Sequence, residues 1–364
     1  MKNNRKKIIL TGGGTGGSVS PLLAIYETVI NTSRKNEFDF LWVGGLSGPE
    51  KEMVNFLNIP YRPIPSGKFR RYFSWKNFVD IFGIFFGFLR SLFIIMFERP
   101  DLIIAAGSFI SVPFVWAGWI YRVPIIIHQQ DVKTGLANKL MAPFASVITK
   151  SLDVPFEKYE RKTRLIGTPL REEVLNNVFD VQKFKEIFGL EGSKPVLLVI
   201  GGGTGALALN KLIEDNLDNL IEKFQLIHVV GKHKSNENIL PRRGYYKYEF
   251  LDVKQLSAFY RIADIVITRC GMGVLSEISY MGKSAILVPL PDSHQEDNAK
   301  YFFDRKAAIV LDQSEINSGI LNKTLENLIA DEDKKNELVS NIKTIMPDDA
   351  NGKMLEIIIS MLKK

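Results

Sequence analysis

Short apolar runs alternate along this chain with longer stretches whose hydrophobic positions recur at three- and four-residue spacing. The runs at 7–11, 38–43, 102–105, 124–128 and 146–149 read as buried strands, and a second set follows at 195–200, 225–229, 265–268 and 285–288. This alternation predicts α/β units built on parallel sheets. The two sets open alike. KIILT leads into Gly12-Gly13-Gly14-Thr15-Gly16-Gly17, and PVLLVI into Gly201-Gly202-Gly203-Thr204-Gly205-Ala206, so a strand, a GGGTG loop and a helix occur twice. The repeat predicts two Rossmann-like domains in tandem, residues 1–165 and 166–349, joined near Ile166-Gly167-Thr168-Pro169. Ser20 reads as the N-cap of the first helix and Pro21 as its first residue.

One stretch, residues 69–97, is far more apolar than the rest: FRRYFSWKNFVDIFGIFFGFLRSLFIIMF. Its most continuous part, 81–97, has Arg90 near the middle, whereas a membrane-crossing helix needs about 20 mostly apolar residues. Two readings remain. One is a long core helix with Arg90 snorkelling to water. The other is a surface helix whose Trp75, Phe82, Phe85 and Phe86 dip into lipid while Lys68, Arg70, Arg71, Lys76 and Arg90 meet anionic head groups. Charge favours the second. The formal net charge is +7, and residues 1–99 hold 14 Lys and Arg against 7 Asp and Glu, so the excess lies entirely in this quarter. Nucleic acid, the other usual partner of a basic patch, is disfavoured because the patch is aliphatic rather than a series of stacking platforms.

Composition narrows the chemistry. A single cysteine, Cys270, excludes a disulfide scaffold and a Cys-based zinc cluster, and the four histidines show no metal-pair spacing. The basic start MKNNRKKIILTGGG has too short an apolar run for a signal peptide, which predicts a cytosolic chain. Glycine permits close backbone approach, and a helix N-terminus offers free amides, so both glycine loops suit a phosphate or pyrophosphate. Neither carries the Lys-Ser/Thr of a Walker A loop. The second strands end in Val43-Gly44-Gly45-Leu46 and Val229-Val230-Gly231-Lys232, without the acidic residue that holds a dinucleotide ribose, so hydride chemistry is disfavoured. The densest region is 248–302. A strand ends at Thr268, the turn Arg269-Cys270-Gly271-Met272-Gly273 follows, and a helix carries Glu277. A further strand ends at Pro289-Leu290-Pro291, with His294, Gln295 and Asn298 beyond. The turn amides suit a diphosphate, Glu277 a ribose diol, and Gln295 with Asn298 sugar hydroxyls; equally, Glu277 is an acidic residue favourable near any helix N-terminus.

The run RCGMGVLSE followed by PLPDSHQEDNA resembles the MurG family of peptidoglycan glycosyltransferases (family 28). GGGTGGSVSPLLA (12–24), PDLIIAAGSFISVP (100–113), PIIIHQQDVKTGLANK (124–139), GTPLREEVL (167–175) and GGGTGALALN (201–210) extend the resemblance, in order, over nearly the whole chain. It implies an α/β GT-B fold, two Rossmann-like parallel-sheet domains facing across a cleft, with a C-terminal helix near 350–364 packing back on the first. It also implies inverting transfer of N-acetylglucosamine from UDP-N-acetylglucosamine to the C4 hydroxyl of an undecaprenyl-linked acceptor, lipid I. The product is lipid II, made without metal or cofactor by a peripheral enzyme at the cytoplasmic face of the inner membrane. By motif, the donor site would take in Arg171, Gly203, Thr204, Phe250 and Leu251 against uracil, Met272, Gly273, Val274, Leu275, Glu277 on the ribose, and Gln295 with Asn298 on the sugar. Gly14, Thr15, Gly16 and Gly17 would meet the acceptor pyrophosphate or the transferred sugar. The only DxD, Asp331-Glu332-Asp333, reads as a solvated charge run.

Three positions depart from the family. Its His after GGTGG is Ser18, its HEQN reads His128-Gln129-Gln130-Asp131, and its GGY loop is thinned to Gly107-Ser108-Phe109. The candidate bases for the acceptor hydroxyl are therefore Asp131, His128 and, weakly, Ser18. Asp131 reads alternatively as an acceptor-binding or helix-capping residue, and His128 as a structural one. The departures leave room for a related transferase with another polyprenyl or lipid acceptor or another UDP-sugar, a UDP-N-acetylglucosamine 2-epimerase, or an inactive UDP-sugar-binding paralogue.

Overall fold

The structure, a computed structural model, describes residues 5–67, 76–175, 180–190, 194–202, 206–236, 239 and 242–363, with the backbone alone at 76–81 and 157. Lys68, Arg70, Arg71 and Trp75 of the basic stretch, and Gly203 and Thr204 of the second glycine loop, lie outside the described residues. The strands are β1 (Lys6–Thr11), β2 (Phe38–Gly45), β3 (Tyr61–Ile64), β4 (Leu102–Ala105), β5 (Ile125–Gln129), β6 (Val147–Lys150), β7 (Thr163–Leu165), β8 (Val196–Ile200), β9 (Gln225–Val229), β10 (Tyr245–Tyr248), β11 (Ile265–Thr268), β12 (Ser284–Leu287) and β13 (Ile309–Val310). The helices are α1 (Gly16–Ile30), α2 (Pro49–Phe56), α3 (Lys76–Glu98), α4 (Ser111–Ile120), α5 (Leu136–Met141), α6 (Glu172–Leu175), α7 (Val181–Ile187), α8 (Leu207–Asp215), α9 (Leu217–Lys223), α10 (Val253–Ile262), α11 (Met272–Met281), α12 (His294–Asp304), α13 (Ser318–Ala330), α14 (Glu332–Lys343) and α15 (Ala350–Leu362).

Two compact units result: Met1–Glu172 with Pro347–Lys364, and Glu173–Met346. The first holds a parallel sheet ordered β3-β2-β1-β4-β5-β6-β7, the second one ordered β10-β9-β8-β11-β12-β13. In the first unit alternate residues of each strand face opposite layers. Ile9, Ile103, Ile125 and Ile127 are buried with Val112 and Phe114 of α4 on one side. Ile8, Leu10, Ile104 and Ile126 are buried with α1 and with Met354 and Ile358 of α15 on the other. In the second unit Leu197, Val199, Ile265, Ile267 and Ile286 pack with α8, α9, α13 and α14.

Two local expectations are corrected. The loop read as the joint belongs to the first unit: Leu170 N–H donates to Asn351 Oδ1 (2.9 Å), and Asn351 Nδ2 donates to Leu170 O (2.9 Å) and Thr28 Oγ1 (2.7 Å). The first helix starts at Gly16 behind an extended Thr15, so Ser20 and Pro21 lie inside it rather than at its start. Glycine's poor helix propensity hides those opening residues from a sequence reading.

Helix α3 is divided between core and surface. Ile95 is buried and Phe88, Leu92 and Ile94 pack on the core, while Phe82, Phe85, Phe86, Phe93, Met96 and Phe97 are exposed at three- to four-residue spacing, with Arg90 exposed beside them. Among the described residues no helix is long and apolar enough to cross a membrane.

Candidate active site

In the first sheet the chain order reverses between β1 and β4, the position at which parallel sheets bind ligands beyond their carboxyl ends. Gly13 O accepts from Ser108 Oγ and from Ser18 Oγ, both at 2.9 Å. Gly14, at φ +82°, donates its N–H to Glu50 Oε2 (3.1 Å). Thr15 has no side-chain cap bond, and a Cβ on Gly16 would meet nothing within 4 Å. No Thr15 side-chain cap covers the first turn of α1, and the space beside Gly16 is open, which suits an anion.

Asp131 follows β5 at this same carboxyl edge and is half-buried. Its loop is braced by Gln129 Nε2, which donates to Asp131 O (2.7 Å), and by Asn138 Nδ2, which donates to Gln129 Oε1 (2.6 Å) and His128 O (3.1 Å). His128 itself does not fit a base. It is fully buried, with Nδ1 3.0 Å from Thr149 Oγ1 and Nε2 3.2 Å from Ser151 Oγ. Burial pushes its pKa down to about 3, so the ring is neutral and enclosed. Ser18 is likewise corrected to a loop brace, its hydroxyl shared between Gly13 O and Thr15 O (3.2 Å).

In the second unit the reversal falls between β8 and β11. Helix α11 begins at Met272 behind an extended Gly271. The preceding turn is held from behind: Cys270 N–H and Leu290 N–H both donate to Gln295 Oε1 (3.2 and 3.1 Å), and Asn298 Nδ2 donates to Cys270 O (3.0 Å). The Arg269 guanidinium donates to Val288 O and Pro289 O, both at 3.0 Å, and to Gln313 Oε1. Burial lifts the Cys270 thiol to about 12, which makes it inert. Glu277 is half-buried on α11, and its charge adds to burial in raising the pKa of the fully buried Tyr260 phenol. Phe250 is exposed with Lys232 Nζ 4.9 Å from its ring centroid, a flat apolar surface next to a capping box between Asp252 and Gln255.

Several assignments change accordingly. Asn298 is fully buried and braces the turn rather than presenting an amide to a sugar. Two N–H donors on Gln295 Oε1 fix that amide's orientation, so Gln295 offers a ligand its Nε2 donor. Leu251, Met272 and Leu275 are core side chains, which leaves Met272 its backbone amide, while Gly273 and Val274 are half-buried on the outer side. Arg171, grouped with the donor by motif, is buried in the first unit, with Nε and Nη2 each 2.6 Å from Glu27 Oε1. Glu50, Asn138 and Tyr260 are positioned at the two sites and escape a sequence reading. Only Glu50 has a local signal, an acid just inside a helix opened by Gly48-Pro49.

Two parallel sheets of this order, each with a helix N-terminus at its reversal point, define the GT-B fold. Residues 8–149 match the Glycosyltransferase family 28 N-terminal domain, and residues 196–350 the Glycosyltransferase family 28 C-terminal domain. The chain belongs to glycosyltransferase family 28. It is 34% identical over 357 residues, 96% of each chain, to the UDP-N-acetylglucosamine–N-acetylmuramyl-(pentapeptide) pyrophosphoryl-undecaprenol N-acetylglucosamine transferase of Legionella pneumophila (strain Lens). It is 33% identical over 358 residues to the transferase of the same name from Clostridium botulinum (strain Langeland), across 97% of this chain and 98% of that one. The crystal structure of Acinetobacter baumannii MurG shares the fold at a TM-score of 0.73 and 20% identity, over 98% of this chain and 99% of that one.

Proposed function

We propose that this chain transfers N-acetylglucosamine from UDP-N-acetylglucosamine to the C4 hydroxyl of undecaprenyl-pyrophosphoryl-N-acetylmuramoyl pentapeptide, lipid I, giving the lipid II of peptidoglycan synthesis. The observation that carries this reading is 34% identity sustained over 96% of both chains with a named transferase of that activity.

In this reading the second unit holds the donor. The α11 amides of Met272, Gly273 and Val274 receive the UDP diphosphate, Glu277 accepts from the ribose diol, Phe250 stacks on uracil, and Gln295 Nε2 donates to the sugar. The acceptor oxygen forms a bond to the sugar C1 as the C1–O bond to UDP breaks, and the electron pair leaves on the diphosphate. The helix dipole and the turn amides stabilise that charge. Asp131 takes the acceptor proton: it is the carboxylate among the three candidates and is half-buried just past β5, at the carboxyl edge of the sheet. The exposed face of α3, with Arg90, Arg122 and Lys139 exposed on α3, after α4 and on α5, docks the protein peripherally on anionic lipid at the cytoplasmic membrane face.

The test is UDP release from UDP-N-acetylglucosamine by the purified protein, with and without a short-chain lipid I analogue. Release that requires the acceptor supports the transferase. Release without it points to hydrolysis or epimer chemistry, and donor binding without any release marks a different acceptor or an inactive chain.

A further inference from the structure

One carboxylate in the first unit has no role in the chemistry above. Glu50 is fully buried in the first turn of α2, and no Lys or Arg among the described residues forms an ion pair with it. Its two oxygens face two different loops. Oε2 accepts from Gly14 N–H at 3.1 Å, and Oε1 accepts from Gly45 N–H at 3.1 Å. Backbone crowds it: a Cβ on Gly13 would come 2.6 Å from Glu50 Cδ, and one on Gly45 would come 3.0 Å from Oε1. The glycines just past β1 and at the end of β2 thus admit a buried anion as well as a tight turn.

The Gly13-Gly14 peptide is gripped from both sides. Its carbonyl accepts from Ser18 and Ser108, and its N–H is turned inward to Glu50. On the second loop Tyr61 donates to Gly45 O at 2.7 Å, with its phenol pushed up by burial and then by the Glu50 charge. A carboxylate buried without a cation persists only if donors satisfy it, and here the donors are amides of the two loops.

We propose that Glu50 is a positioning residue for the acceptor site: by clamping Gly14 and Gly45 it fixes the β1–α1 loop so that the amides beyond it, from Thr15 onward, face the acceptor pyrophosphate. This rests on the transferase reading. Glutamine in its place has one acceptor oxygen, and its NH2 would oppose a backbone N–H.

The experiment measures UDP release by wild type and Glu50→Gln while varying acceptor and donor separately, alongside hydrogen exchange of the amides of residues 12–17 and 44–46. The expected result is a fall of at least 30-fold in kcat/KM for the lipid acceptor, with KM for UDP-N-acetylglucosamine within twofold. The Gly14 and Gly45 amides, protected in wild type, should exchange at least tenfold faster in the variant. Equal loss on both substrates, or an unchanged acceptor KM, overturns the proposal, because a purely structural glutamate would act that way. Should Glu50→Gln not fold, unprotected Gly14 and Gly45 amides in the wild type overturn it, and protected ones with Gly13→Ala reproducing the acceptor defect sustain it. Failure of the wild type to release UDP with acceptor would overturn the activity reading instead, and the exchange data would then decide the clamp alone.

Discussion

At the scale of single residues, the two buried histidines make stability depend on pH. His128 in the first unit and His228 in the second are each pushed from the ordinary 6.5 down to about 3 by burial, with Lys247 adding to the effect at His228. Both rings are neutral in the folded chain and gain a proton on unfolding below about pH 6.5. Stability is therefore complete above that value and falls as pH drops from 6.5 toward 3. At pH 5 each ring costs its unit about 2 kcal/mol relative to pH 7.5. Denaturant unfolding at the two pH values checks this, and His128→Gln should flatten the first unit's share. Asp131→Asn tests the proposed base. It should lower turnover by about 10²- to 10⁴-fold while leaving UDP-N-acetylglucosamine binding within twofold, measured by calorimetry. Near-normal turnover would remove Asp131 from the chemistry.

At the scale of elements, α3 is divided lengthwise between core and surface. Changing Phe85, Phe93 and Phe97 to Ser should leave the thermal midpoint within a few degrees, since all three are exposed. Cosedimentation with vesicles containing phosphatidylglycerol should fall at least tenfold. Unchanged cosedimentation would exclude this face as the lipid contact. The same element shows what the chain's pattern reveals. A stripe with apolar residues on both faces announces a helix, but only packing decides which face is covered. All nine strands expected from apolar runs are present, and β3, β7, β10 and β13, which were not, are the edges of the two sheets. Edge strands are buried less and so carry weaker hydrophobic signals: β3 contains Pro63, and β13 is two residues long. The candidate site was legible in its backbone frame: the first glycine loop and the α11 turn fall at the carboxyl ends of β1 and β11, where their glycines predict them. It was not legible where a side chain turns inward. Asn298 and His128 have the residue types of ligand-reading groups, and only burial marks them as braces.

At the scale of the molecule, the chain passes between its two units twice, near residues 172 and 346, because α15 completes the first unit. Ending the chain after Met346 removes the buried Met354 and Ile358 from the layer they share with α1. At about 1.5–3 kcal/mol for each buried side chain, the first unit should lose roughly 3–6 kcal/mol. Exchange protection in β8, β9, β11 and β12 should survive. Equal loss in both sheets would contradict the division into units. The same feature sets a schedule for biosynthesis. Everything in the first unit up to Glu172 leaves the ribosome before any of the second, yet the patch under α15 stays bare until residues 347–364 follow. At roughly 5–20 residues per second the intervening segment takes about 10–35 s to make. For that interval the nascent chain presents a greasy, half-finished face that invites capture by a chaperone.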